Sequence, residues 1–164
     1  MRRSTLSARE QTALDTLTTV GDLRKHVRAV VTAMDLRCVS QPYHVAVIYG
    51  ARSAEEQTRL YAQGRTAPGA IVTRARAGES PHNFAAAADV ALIWDAPRGG
   101  WLPDAHEGWR SLAQLVRDEG LVTGADFKGF TDLAHMELRD WLKLSRTGAL
   151  TLWHGAPATG GAVV

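Results

Sequence analysis

Ser80-Pro-His82-Asn-Phe-Ala85-Ala86-Ala-Ala-Asp89-Val-Ala-Leu-Ile-Trp94 joins a punctuated loop to an apolar run, and its second half, Ala86 to Trp94, reads as a buried strand. The strand carries a carboxylate, Asp89, and a histidine, His82, stands in the loop before it. Upstream, Tyr43-His-Val-Ala-Val-Ile-Tyr49 is β-branched and aromatic, too short for a helix and closed by Gly50, so it reads as a second strand in which His44 has no special duty. Ala134 to Leu138 is a third. Strands and helices are intermixed without regular βαβ alternation, which predicts an α+β fold, a small and mostly antiparallel sheet with packed helices.

The helices are read from caps and period. Ser7-Ala-Arg-Glu10 is a capping box opening a helix with Ala13, Leu14 and Leu17 on its apolar side. Asp22 caps a second, whose core face carries Leu23, Val27, Val30, Val31 and Met34. Ser53-Ala-Glu-Glu56 is a second capping box, opening a helix that carries Leu60 and Tyr61 and stops at Gly64. His106 to Glu119 is helical, with Trp109, Leu112, Leu115 and Val116 at helical spacing and Gly120 ending it. Arg65 to Glu79 is a long ordered loop or a loop with a short strand, and loops of that length in compact domains are usually functional or disordered. Residues 1–147 are expected to form a single domain with the helices of 7–36 as scaffold, and 148–164 a loosely structured tail.

At 164 residues, 45% hydrophobic and 22% charged, the chain has globular composition, which excludes disordered, collagen-like and fibrous classes. No run approaches a membrane span, and Met-Arg-Arg-Ser-Thr lacks the apolar stretch of a secretory signal, so synthesis as a soluble cytoplasmic protein is expected. Cys38, the single cysteine, is read as an inert, partly buried thiol. A net charge of +2, with both signs spread along the chain, indicates no nucleic-acid partner. Of the 19 basic residues only Lys25, Lys128 and Lys143 are lysines, and the arginine excess suits anionic ligands, although genome base composition explains it equally well.

Three segments concentrate metal-binding and proton-moving chemistry: Ser80 to Asp89, Asp132-Leu-Ala-His135-Met-Glu137, and Arg52 after the strand at Tyr49. Zinc hydrolases commonly use three nitrogen and oxygen ligands and leave a fourth position for water. His82, Asp89 and His135 supply such a set: a loop histidine, a carboxylate on the following strand, and a ligand from a neighbouring strand. The water also needs a base, and a carboxylate near the last ligand serves. Asp132 and Glu137 are the candidates; on a strand, Glu137 points to the same face as His135 and can also orient a ligand.

The run from Ser80 to Asp89 resembles the S-x-H-x-x-G-x-A-x-D signature of the LAS-type zinc peptidases, the D-Ala-D-Ala carboxypeptidase and dipeptidase family, matching at Ser80, His82, Ala87 and Asp89, with Asp132-Leu-Ala-His135 as its acidic-x-x-His element. Tyr49-Gly-Ala-Arg52-Ser-Ala-Glu-Glu-Gln57, Leu60-Tyr61-Ala-Gln63-Gly64-Arg65-Thr66, Pro68-Gly69, Val72-Thr73, Ala75-Arg76 and Asp126-Phe-Lys-Gly-Phe130-Thr-Asp132 are similar to the L-alanyl-D-glutamate endopeptidase branch, which includes phage endolysins. The resemblance covers roughly residues 45 to 140. It implies one zinc ion on His82, Asp89 and His135 at the sheet cleft, Asp132 as general base, Arg52 on the oxyanion, and Ser80 and Glu137 as catalytic or supporting groups.

The implied function is hydrolysis of the peptide stem of bacterial peptidoglycan at the L-alanyl-D-glutamate bond, by an endolysin-like monomer that inserts in no membrane and relies on a membrane-permeabilising partner to reach the wall. The alternatives are a D-Ala-D-Ala dipeptidase or carboxypeptidase and a non-catalytic zinc-containing wall-binding domain. Two departures stand out. Ala85 occupies the signature glycine, where a demand for positive φ would strain the ligand loop, and Val122-Thr-Gly-Ala125 lacks the branch's tryptophan and paired glycines. His26, His44, His106 and His154 are read as surface or structural, and the tryptophans as core or cleft walls.

Overall fold

The computed structural model describes residues 6–17 and 23–155. In chain order its elements are α1 (Ala8–Asp15), α2 (Leu23–Cys38), β1 (Tyr43–Tyr49), α3 (Ala54–Ala62), β2 (Ala87–Trp94), α4 (Glu107–Asp118), β3 (Val122–Thr123), β4 (His135–Glu137) and α5 (Trp141–Arg146), with 3-10 turns at Pro81–Phe84 and Gly124–Asp126. Asp22, expected to cap α2, lies outside the described residues, as do positions 156–164 of the tail.

The four strands form one sheet in the order β1-β2-β4-β3, every neighbouring pair antiparallel, so the α+β expectation holds. β2 is central and mostly buried because its alternate residues Ala88, Val90 and Leu92 face the helices while Asp89 points to the opposite side. α1 and α2 pack on β1, and α4 packs on α2 and β3. Leu14, Leu23, Val27, Val30 and Met34 meet Val47, Val90 and Leu92 in this core, each side chain stabilising the fold by roughly 1.5–3 kcal/mol through burial.

Capping follows the sequence with two differences. Ser7 Oγ accepts from Glu10 N at 3.3 Å and the Glu10 carboxylate accepts from Ser7 N at 2.8 Å, which closes the first box. At α3 only half of the second box forms. Ser53 Oγ accepts from Glu56 N at 3.2 Å, but the Glu56 carboxylate turns to the Tyr49 hydroxyl, which donates to it across the strand end. α4 starts one residue later than expected because His106 is its cap, Nδ1 accepting from Gly108 N at 3.1 Å, and Gly120 at φ +76° follows its end.

β3 and α5 carry too few residues for periodicity to reveal. Residues 65–79 form no strand beyond a bridge between Gln63 and Ala67. In the described part of the tail Leu150 is buried and the Trp153 N–H donates to Asn83 O at 2.7 Å. Among the described residues no helix is long and apolar enough to cross a membrane.

Leu92 is fully buried in the central strand. Leu92→Ala is therefore expected to cost about 3 kcal/mol through lost burial and the cavity left behind. Urea unfolding reads the loss as a lower midpoint with an unchanged slope, and a change under about 1 kcal/mol would contradict this packing.

Candidate metal centre

Three backbone devices bring the expected ligands together. In the β2–β4 ladder Asp89 stands directly opposite His135, so antiparallel register places both side chains on one face. The β1–β2 register shifts between Val47 and Tyr49, an irregularity that brings Tyr49 opposite Asp89. His82 comes from the 3-10 turn Pro81–Phe84, which closes on Ala85 in the left-handed region at φ 54° and ψ 26°. The signature glycine position does demand positive φ, and here an alanine bears the strain while the ligand geometry is kept.

His82 Nε2, Asp89 Oδ1 and His135 Nδ1 form a nearly equilateral triangle. Its edges are 3.3 Å from His82 to Asp89, 3.3 Å from His82 to His135 and 3.2 Å from His135 to Asp89. A tetrahedral ion with metal–ligand bonds of about 2.0 Å has ligand–ligand edges of about 3.3 Å. Both imidazoles are set for such an ion from behind. His82 Nδ1–H donates to Gly50 O at 2.7 Å, and His135 Nε2–H donates to Glu137 Oε2 at 2.9 Å, so the opposite nitrogen of each ring presents a lone pair to Asp89. Three electron-pair donors converging at this distance could hold a metal ion among them.

The electrostatics agree. Burial opposes a charge on His135, yet hydrogen bonds to Asp89 and Glu137 lift its pKa to about 10, a proton standing where a metal ion would. Burial likewise opposes ionisation of Asp89, and the two histidines outweigh it, holding the carboxyl well below its ordinary value. The donor set fits one zinc ion.

The remaining expected residues take distinct places. Glu137 is committed behind His135, its second oxygen accepting from Trp141 Nε1–H at 3.2 Å. Asp132 lies on the exposed loop before β4, and desolvation together with negative Asp89 raises its carboxyl above the usual range. Its backbone is pinned: Asp132 N–H donates to Gly124 O at 3.1 Å and its carbonyl accepts from His135 N at 3.2 Å. Gly124 permits this approach, since a Cβ there would run into the Asp132 carbonyl oxygen. Arg52 is half-buried with Nη2 3.9 Å from Asp89 Oδ2, and its Nε, itself shielded from solvent, has no hydrogen-bond partner. Ser80 is buried at the cap of the 3-10 turn without a side-chain capping bond.

Two buried amides escaped the sequence reading. Gln57, at 0% exposure, accepts from Arg52 Nη1 at 3.0 Å and donates to Ala75 O at 2.7 Å, fixing the guanidinium and fastening the 65–79 loop together. Asn83 donates to Arg52 O at 3.0 Å and accepts from Gly78 N at 2.9 Å. Both lie inside the quoted motifs, yet only the fold shows an amide there to be buried.

A sheet-borne His–Asp–His group that could hold one metal ion, with a carboxylate and an arginine near it, is the kind of site that mononuclear metallohydrolases use. Residues 73–138 match the sequence profile of the D-alanyl-D-alanine carboxypeptidase family. The peptidoglycan L-alanyl-D-glutamate endopeptidase CwlK of Bacillus subtilis (strain 168) is 35% identical over 135 residues, which cover 78% of this chain and 80% of that protein. The chain belongs to this family of zinc metallopeptidases that act on peptidoglycan. The crystal structure of the L-Ala D-Glu endopeptidase ChiX of Serratia marcescens shares the fold with a TM-score of 0.55 at 20% identity, over 82% of this chain and 90% of that one.

Two substitutions test the construction of the centre. Ala85→Gly relieves a left-handed alanine and should stabilise the protein by about 1 kcal/mol in thermal unfolding, with metal affinity unchanged. A destabilised variant would contradict the strain. Glu137→Gln removes the carboxylate behind His135 and should weaken zinc roughly 10–100-fold in chelator competition. Unaltered affinity would show that His135 needs no such partner.

Proposed function

We propose that this protein hydrolyses the L-alanyl-D-glutamate bond of peptidoglycan stem peptides, holding one zinc ion on His82, Asp89 and His135. The reaction class rests on the ligand triangle with its edges of 3.2 and 3.3 Å. The choice of bond is supported by the 35% identity to a protein named for that activity. Bound there, zinc supplies a Lewis acid that polarises the scissile carbonyl and makes water a nucleophile near neutral pH.

The chain's own groups do the rest. The Asp132 carboxylate takes a proton from the attacking water and returns it to the leaving amine nitrogen, so that the C–N bond breaks to a free carboxylate and a free amine. Glu137 is unsuited to that task because both of its oxygens are occupied by His135 and Trp141. Arg52 donates to the carbonyl oxygen as negative charge develops there, and Gln57 fixes the guanidinium beforehand, which spares reorganisation during the reaction. Ser80, buried at the start of the turn that carries His82, supports that turn through its carbonyl, which accepts from Asn83 N at 3.0 Å. Endolysin-like digestion of isolated walls is the use this reading gives the activity.

The matched family profile, described as D-alanyl-D-alanine carboxypeptidase, supports a second reading with the same centre and a different bond. Mass spectrometry of digested walls separates them. New amino-terminal glutamyl fragments are expected, and release of D-Ala or its dipeptide instead would overturn the bond assignment. Asp132→Asn should lower kcat by at least about a hundredfold while zinc stoichiometry stays at one. Near-normal turnover in that variant would transfer the base to another group.

A further inference from the structure

Arg74 and Phe130 join the two loops that flank the metal centre. The 65–79 loop is tied to the site through Gln57, which donates to Thr73 Oγ1 at 3.2 Å and to Ala75 O at 2.7 Å on either side of Arg74. The 124–134 loop is tied to it through rings. Phe127 packs against the ligand His135 with centroids 5.5 Å apart, and Phe130 packs against Phe127 at 5.2 Å. The Arg74 guanidinium lies over the Phe130 ring at 5.3 Å, spanning the two loops.

The neighbouring arginines on this loop are engaged differently. Arg65 donates to the carbonyls of Tyr61 and Thr73 at 2.7 and 3.1 Å, and Arg76 Nε donates to the Tyr61 hydroxyl at 3.4 Å. Among the described residues Arg74 has no hydrogen-bonding or carboxylate partner, only the face of an exposed phenylalanine. Ile71 and Val72, at 57% and 58% exposure, extend the same rim with apolar surface. A planar fork held on one face by an aromatic ring keeps its edge donors free, which is the geometry for bidentate carboxylate binding.

We propose that Arg74, seated on Phe130, is the specificity-determining residue that recognises a free carboxylate of the stem peptide, the one on the glutamyl residue beside the scissile bond. This rests on the bond assignment above. The chemistry of that residue supplies the ligand. Glutamate has two carboxyls, the peptide chain consumes one, and the other is presented next to the scissile nitrogen as an acid or, if amidated, as a neutral amide. The amide form loses the charge and half of the acceptor edge that a guanidinium fork engages.

The test compares two synthetic stem peptides that differ only in whether this carboxyl is free or amidated, each cleaved by zinc-loaded enzyme. Wild type should show a KM roughly tenfold lower for the free acid, the size of one charged hydrogen-bond pair. Arg74→Met, which keeps the stem packed on Phe130, should abolish the preference by raising KM for the acid alone, with kcat unchanged. Arg74→Lys should retain part of it. A merely structural role would change both peptides together. If wild type cleaves both peptides and Arg74→Met keeps the preference, or lowers kcat on both equally, this inference is overturned and the bond assignment survives. If wild type cleaves neither, the bond assignment falls and the inference falls with it.

Discussion

The centre depends on one cross-strand pairing, Asp89 opposite His135 in the β2–β4 ladder. Antiparallel register has a side-chain period of two, so a slip of one residue would send Asp89 into the helical core and bring Val90 to the cleft. The hydrophobic pattern forbids that slip. Val90 and Leu92 are at 0% exposure on the side opposite Asp89, and Met136, also at 0%, flanks His135 in the same way. The burial that stabilises the sheet therefore also specifies which carboxylate and which imidazole meet.

The third candidate ligand lies outside the ladder and needs separate support. His82 sits on a turn held by backbone contacts to the strand end: Arg52 N–H donates to His82 O at 2.9 Å, and His82 Nδ1–H donates to Gly50 O at 2.7 Å. Gly50 in turn packs so closely on α1 that a Cβ would overlap the Ala13 carbonyl, and Thr16 Oγ1 accepts from Ala51 N at 2.8 Å. The first helix thus bears on the position of the candidate ligand His82 through two residues of backbone. Its sequence suggests only a scaffold, and scaffold here includes the orientation of an imidazole.

Strands β1, β2 and β4 and helices α2 and α4 were legible because each rests on local pattern: a β-branched and aromatic run for β1, an apolar run for β2 and helical spacing for α2 and α4, while residue chemistry singled out His82, Asp89 and His135 as candidate ligands. The family resemblance favoured Asp132 over Glu137 as the base, but sequence separation from His135 alone cannot say which carboxylate lies behind the imidazole. The hydrogen bond at 2.9 Å from His135 to Glu137 makes that distinction, and it exists only once β4 is folded. Gln57 and Asn83 stayed hidden for a related reason. A buried amide is defined by the groups that close over it, here the 73–78 loop and the Arg52 carbonyl.

Ala85 shows how stability and site geometry trade against each other in this fold. A left-handed alanine costs about 1–2 kcal/mol, and a turn free to relax would move out of that region. It does not relax because both sides are held. The Ala86 N–H donates to Pro81 O at 3.0 Å and the Leu138 N–H donates to Ala86 O at 3.0 Å, while the Asn83 amide clamps the turn from the other side. Strain of this kind persists only where surrounding contacts over-determine the backbone. The contacts that do so, a closed 3-10 turn, a strand extension and a buried amide, are those that aim His82 at Asp89. The departure from glycine is thus tolerated without displacing a ligand, and its cost falls on the stability of the whole domain instead of on the metal centre.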